Sequence, residues 1–298
     1  MVKFTVAAAQ YPVDQLDSWD AYAAKLTRWV EEAAEAGAAL AVFPEYGAME
    51  LASLDPATMG DLALSIETVS ALLPRVDALH AELAGRTGLH ILAASAPRKD
   101  ADGRFRNAAR LFAPNGKVGV QDKLVMTRFE REQWHIAAGS ALRLFDTMLG
   151  KIAVNICYDS EFPLLARAGV EAGADLLLVP SCTDSLHGYW RVRLGSQARA
   201  LEGQCYAVQS PTVGEAAWSP AVDVNRGAAA IYGPPDRGIP EDGVLAVGVE
   251  GASQWVLAEV DTALVAELRA DGGVLNARHW TEQPGAMALP AVEVVDLR

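Results

Sequence analysis

Lys151-Ile152-Ala153-Val154-Asn155-Ile156-Cys157-Tyr158-Asp159-Ser160-Glu161-Phe162-Pro163 is the most informative stretch of this chain. An apolar run ends abruptly in a cysteine, polar and acidic residues follow, and Phe162-Pro163 closes the segment. This is the pattern of a short buried strand that delivers a thiol to the rim of a sheet, with a turn or a helix start just beyond. Backbone N–H groups at such a turn can stabilise a thiolate and later a developing oxyanion. Taken alone, Cys157 is better read as packing, because cysteine is among the most buried residue types. The rest of the sequence has to decide between the two.

The segment just downstream has a counterpart near the N-terminus. Glu171-Ala172-Gly173-Ala174-Asp175-Leu176-Leu177-Leu178-Val179-Pro180 aligns without gaps on Glu35-Ala36-Gly37-Ala38-Ala39-Leu40-Ala41-Val42-Phe43-Pro44. Each copy reads as a helix end, a glycine cap and a buried strand that stops at proline, which suggests two similar halves related by a pseudo-two-fold. Between and beyond these copies, strand-like and helix-like segments alternate. Strands are predicted over 3–10, 40–43, 90–97, 106–112, 117–121, 142–146, 151–156, 176–180, 206–210 and 255–260, with a strand–loop–strand over 227–249. Helices are predicted over 19–36, 61–86 with an interruption at Pro74, 162–172, 189–203 and 264–269, and an irregular charged segment over 123–134. Alternation of this kind predicts an α/β or α+β layered sheet protein. No low-complexity linker divides the chain, so one domain is expected over residues 1–280. The tail 281–298 has little periodicity and is expected to reach a neighbouring subunit.

Composition excludes several classes. The 298 residues are 51% hydrophobic and 21% charged, ordinary for a globular protein able to bury a sizeable core. A formal net charge of −13 argues against a nucleic-acid partner, whose phosphates would be repelled. The three cysteines, Cys157, Cys182 and Cys205, are widely spaced with no CxxC pair, which speaks against a disulfide framework or zinc knuckle and for a reducing compartment. Five histidines lie scattered without metal-ligand spacing, so neither a metal nor another cofactor is expected. No apolar run is long enough to cross a bilayer, and the N-terminus does not read as a signal peptide, so a cytoplasmic location is expected.

Two further segments carry candidate chemistry. Glu45 closes the apolar run Val42-Phe43-Pro44-Glu45, where the low dielectric of a sheet end raises a carboxylate toward the pKa of a useful base. An isolated loop glutamate, by contrast, is usually a solvated cap. Lys123 and Glu130 lie in Lys123-Leu124-Val125-Met126-Thr127-Arg128-Phe129-Glu130-Arg131. A lysine among acids stays cationic and can stabilise an oxyanion in a dry site, although most such charge runs are surface ion pairs. Cys182 and Cys205 lack comparable motifs and read as structural.

In order along the chain, the strand ending in Phe43-Pro44-Glu45, the Asp122-Lys123-Leu124 segment and Ile156-Cys157-Tyr158-Asp159…Phe162-Pro163 resemble the nitrilase superfamily of carbon–nitrogen hydrolases. The likeness extends to Ala7-Ala8-Ala9-Gln10, to Asn107 and to Ala198-Arg199-Ala200-Leu201-Glu202-Gly203-Gln204. It implies a four-layer α-β-β-α sandwich that dimerises through outer helices. It implies a Glu45–Lys123–Cys157 triad, joined by Glu130 as second glutamate, with Trp134 matching the ER-x-x-W form. The Tyr158 N–H is then an oxyanion donor, and Tyr46 and Trp134 are substrate-contact candidates. The implied activity is thiol-dependent cleavage of a non-peptide C–N bond in a small linear amide. Nitrilases tend to carry tryptophan-glutamate after the nucleophile, whereas Tyr158-Asp159 here is similar to the amidase branches. A small nitrile as substrate, amide transfer to an amine, and a non-catalytic metabolite-binding role are the alternatives.

Overall fold

A computed structural model describes residues 2–287. The elements run β1 (Lys3–Pro12), α1 (Trp19–Glu35), β2 (Ala38–Val42), α2 (Leu62–Thr87), β3 (His90–Lys99), β4 (Phe105–Phe112) and β5 (Val118–Asp122). There follow α3 (Arg128–Glu132), β6 (Leu144–Thr147), β7 (Gly150–Val154), α4 (Pro163–Glu171), β8 (Leu176–Ser181), α5 (Leu186–Gly203) and β9 (Tyr206–Glu215). The chain continues through β10 (Val224–Asn225), β11 (Ala230–Tyr232), β12 (Val244–Val247), β13 (Gln254–Asp261), α6 (Thr262–Asp271) and α7 (Asn276–His279).

These strands form two sheets of the same design. One has the order β13-β1-β2-β3-β4-β5, with neighbours antiparallel, parallel, parallel, antiparallel, antiparallel. The other has the order β6-β7-β8-β9-β11-β12, with the same succession of directions. The two echoing sequences occupy the third position of each sheet, as β2 and β8, so the pseudo-two-fold is present in the topology. In both copies the glycine after the helix, Gly37 and Gly173, takes a positive φ of 78° and 102°, the left-handed turn that releases the chain from helix into strand. The sheets are stitched at one corner by the pairs Tyr11↔Thr212 and Pro12↔Val213.

Alternation along the strands builds the layers, since successive side chains point to opposite faces. Val6, Ala8, Leu40 and Val42 share one apolar cluster with Ile152, Val154, Leu176 and Leu178, and this cluster fills the space between the sheets. Ala7, Ala9 and Ala41 point the other way, into a cluster with Leu26, Val30 and Val69 of α1 and α2. Ala153, Leu177 and Ala207 do the same toward Ala166, Val170 and Ala200 of α4 and α5. The result is a four-layer α-β-β-α sandwich.

Two expectations need correction. Pro74 does not interrupt α2, which runs unbroken from Leu62 to Thr87. Proline removes one N–H, and packing of Val69, Leu73, Val76 and Leu83 in the core holds the helix through the gap. The segment 123–134 is not wholly irregular either, because α3 starts there on a capping box between Thr127 and Glu130. Of the tail 281–298 expected to reach another subunit, residues 288–298 lie outside the described residues.

Candidate active site

Strand ends of the two sheets converge on one cavity of about 620 Å3. Glu45 follows β2, Lys123 follows β5, and Cys157 follows β7. All three, together with Glu130, Tyr46, Trp134 and Tyr158, line this cavity. Among the sequence-predicted site residues none is left outside it.

Lys123 stands at the centre. Its Nζ donates to Glu45 Oε1 at 2.7 Å and to Glu130 Oε2 at 2.6 Å, and all three side chains are buried. Burial alone would pull the ammonium pKa down, but the Glu130 and Glu45 carboxylates overcome it and hold Lys123 protonated. Burial pushes Glu130 up, yet Lys123 and the Thr127 N–H outweigh it and the carboxyl stays below its ordinary value. Glu45 fares differently. Burial raises it to about 7, with the Glu130 charge adding to the rise and Lys123 only partly offsetting it. One glutamate is thus a fixed anion and the other titrates near neutrality, the separation expected of an orienting group and a base.

The Glu45 carboxylate is held from several elements. Asn107 Nδ2 on β4 donates to Oε1 at 2.9 Å, and the Cys182 N–H after β8 donates to Oε2 at 3.0 Å. Asn107 is itself fixed, its Oδ1 accepting from Ser95 Oγ at 2.6 Å while Ser95 Oγ accepts the Tyr46 N–H at 3.0 Å. Glu130 receives the Tyr46 hydroxyl at 2.8 Å and closes the α3 capping box by accepting the Thr127 N–H at 2.9 Å. The Tyr46 hydroxyl is therefore committed to Glu130, and what Tyr46 offers the cavity is its ring, which meets Trp134 edge-on at 4.6 Å between centroids.

Cys157 takes a left-handed backbone conformation, φ 49°. For a residue with a side chain this is strained, and such strain is concentrated where a side chain must be aimed. A one-turn 3₁₀ helix spanning Cys157–Glu161 follows, so the Tyr158 N–H lies at a helix start, where backbone donors have no partner within the helix. The thiol is buried, and desolvation and the Glu45 charge push its pKa well up, with Lys123 acting against them. Both effects favour the neutral thiol, which lies beside the Glu45 carboxyl. Its Sγ lies 3.8 Å from the Cys182 carbonyl oxygen.

Asp159 plays a part that sequence reading did not anticipate. Its buried carboxylate accepts the Val125 N–H at 2.8 Å, the Leu124 N–H at 3.2 Å and the Ile156 N–H at 3.2 Å. It therefore ties the backbone next to Lys123 to the backbone next to Cys157, across the two sheets. Cys182, expected to be structural, instead lines the cavity and contributes its backbone N–H to Glu45. In the register of the internal echo, Cys182 stands where Tyr46 does in the first copy, and Ser181 stands where Glu45 does. Thr127-x-x-Glu130 is a capping-box signature and was readable in the sequence. Asn107 had no such local signal, because its role depends on the β3–β4 pairing opposite Pro97. Among the described residues there is no cluster of side chains suited to hold a metal ion.

The model for the carbon-nitrogen hydrolase family matches residues 5–270. The probable hydrolase YhcX of Bacillus subtilis is 34% identical over 90% of this chain, and the chain spans 52% of that protein's length. Omega-amidase NIT2-B of Xenopus laevis is 28% identical over 73% of this chain and 78% of its own. Among solved structures, XC1258 of Xanthomonas campestris, a CN-hydrolase superfamily protein with an arsenic adduct in its active site, superposes with a TM-score of 0.71 at 22% identity, covering 91% of this chain and 95% of its own. With the family model spanning nearly all of the described residues, the chain belongs to the carbon–nitrogen hydrolase family.

Proposed function

We propose that this chain is a cofactor-independent thiol amidase that hydrolyses a small linear amide through a Cys157 thioester. The observation that carries the reading is Glu45, buried, raised by burial to about 7, held between the Lys123 ammonium and the Cys182 N–H, and in hydrogen-bond reach of the Cys157 thiol. As Sγ attacks the amide carbonyl carbon, Glu45 takes the thiol proton. Oxyanion charge is met by Lys123 and the Tyr158 N–H. Collapse breaks the C–N bond, and the proton on Glu45 leaves with the amine as ammonia. Glu45 then takes a proton from water, the resulting hydroxyl attacks the thioester, and the carboxylic acid departs as the thiol regains its proton. Glu130 keeps Lys123 charged and aimed. A nitrile nitrogen would take up the same proton as the thiol adds, so the choice of amide rests on Tyr158-Asp159 after Cys157, which is similar to the amidase branches.

The direct test is ammonia release from a panel of small amides by the wild type and by Cys157→Ala, with intact-protein mass reporting a trapped acyl group on Cys157. Equal activity in the variant would overturn the reading. Product capture by an added amine would show transfer in place of hydrolysis. The relatives named omega-amidases are consistent with amide chemistry.

Two further features belong to this reading. Leu164, Trp190, Leu194 and Leu201 are exposed on α4 and α5, and we assign this layer to a homodimer contact. No described helix is long and apolar enough to cross a membrane, and the three free cysteines fit the reducing cytoplasm.

A further inference from the structure

The mouth of the catalytic cavity is unbalanced in charge. Two guanidiniums face it, Arg128 and Arg191. Glu132 holds Arg128 with contacts of 2.9 and 3.0 Å, and Glu161 approaches Arg191 at 3.4 Å. Asp184 and Asp223 also line the cavity, and among the described residues neither pairs with a basic side chain. Three carboxylates at the mouth, Glu161, Asp184 and Asp223, therefore stand against two guanidiniums, one of which is already paired with Glu132 outside the lining. At the floor, the charge of Lys123 is already taken up by Glu45 and Glu130.

Glu161 is the member of this set inside the cavity proper. Its side chain is only 20% exposed, while its partner Arg191 is 61% exposed and reaches it at the long end of ion-pair distance. Burial raises the Glu161 carboxyl, and it lies close enough to Lys123 to feel that charge. A carboxylate so placed is poorly compensated by the protein itself and gains from a cation brought in by a ligand. It belongs to the 3₁₀ turn that begins with Cys157 and lines the same cavity, four residues from the thiol.

From this geometry we infer that the substrate is an amide whose acyl chain ends in a cationic group, an ammonium or guanidinium, which Glu161 binds while Asp184 and Asp223 set the field at the mouth. A carboxylate at the same end meets Glu161, Asp184 and Asp223, and the two guanidiniums at the mouth already face Glu161 and Glu132. The inference rests on the amidase reading above, and it specifies which amides the site selects.

The test compares δ-aminovaleramide, valeramide and glutaramate, linear amides of matched length ending in ammonium, methyl and carboxylate. The expected order of kcat/KM is ammonium, then methyl, then carboxylate, with about tenfold or more between the extremes. Glu161→Gln should shrink the ammonium-to-methyl ratio several-fold, acting on KM more than on kcat. Because the ratio is taken within one preparation, partial unfolding of a variant cancels. Asp184→Asn with Asp223→Asn should weaken the order and its dependence on salt. The same order is expected for protection of Cys157 from iodoacetamide, read by mass on the Cys157 peptide, which needs no turnover. Ammonia from all three amides with an unchanged ratio in Glu161→Gln, or a preference for glutaramate, overturns the charge inference alone. Ordered protection without ammonia release overturns hydrolysis and leaves the charge inference standing. Absence of both order and release overturns the two together.

Discussion

At the scale of single residues, the site turns on how one ammonium is shared by two carboxylates. Glu130 is held ionised by Lys123 and the α3 cap, so Glu45 absorbs the penalty of burial and rises to about 7. A base must be ionised to accept a proton, so activity should climb with pH through about 7, and kcat/KM measured across pH 5 to 9 should show that limb. Glu45→Gln should remove it and lower kcat on the order of 10²–10⁴-fold. Lys123→Met makes a different prediction. It leaves two buried carboxylates facing each other with no cation, a change that costs about 3–5 kcal/mol at neutral pH. Both carboxyls would then have folded pKa values above their ordinary 4.5. Groups raised on folding are most favourable when protonated, so stability should recover toward pH 5 and fall as pH rises through the raised values. Urea unfolding at pH 5 and pH 8 reads this directly; equal losses at both would contradict the shared-charge account.

Among the elements, the turn after β7 is the critical one. Asp159 accepts three backbone N–H groups and so fixes the distance between the Lys123 and Cys157 segments. Asp159→Asn replaces one acceptor oxygen with a donor and sets an NH2 group against N–H groups. In the proposed mechanism a displacement of about 1 Å between Cys157 and Lys123 is enough to cost about 10² in rate, so kcat should fall by that order with KM little changed. If kcat stays within a factor of about two, Asp159 does not set this distance. Part of this site is legible along the chain and part is not. Glu45, Lys123 and Cys157 each end an apolar strand, a pattern visible along the chain, and Thr127-x-x-Glu130 carries its own cap signature. Asp159 reaches Val125, Asn107 reaches Glu45 and the Cys182 N–H reaches Glu45 over 34, 62 and 137 residues, and only the sheet pairing brings those partners near. Pro74 was misjudged for the opposite reason, since a strong local signal was overridden by core packing around α2. Pro74→Ala restores an N–H toward Ser70 O and should raise the stability of the chain by about 1–3 kcal/mol, partly offset by a freer unfolded chain; thermal unfolding measures it.

For the whole molecule, the ten-residue echo was enough to suggest two halves, and the matching strand directions of the two sheets show how completely the repeat governs the topology. The helical layers are therefore equivalent by design, which makes their difference in surface informative. On α1 and α2 the one exposed large apolar side chain is Leu64, whereas α4 and α5 expose Leu164, Leu186, Trp190, Leu194 and Leu201. Packing against the sheet cannot account for the excess, because Ala166, Val170 and Ala200 already serve that purpose. A second copy stacking the same layer would cover it and satisfy the symmetry of an isologous contact. The chain should therefore run as a dimer in light scattering at micromolar concentration. Leu164→Asp combined with Leu194→Asp, both well outside the cavity, should convert it to a monomer that keeps its far-ultraviolet circular dichroism. A wild-type chain of monomer mass under those conditions would mean that the α4–α5 face is covered by something other than itself.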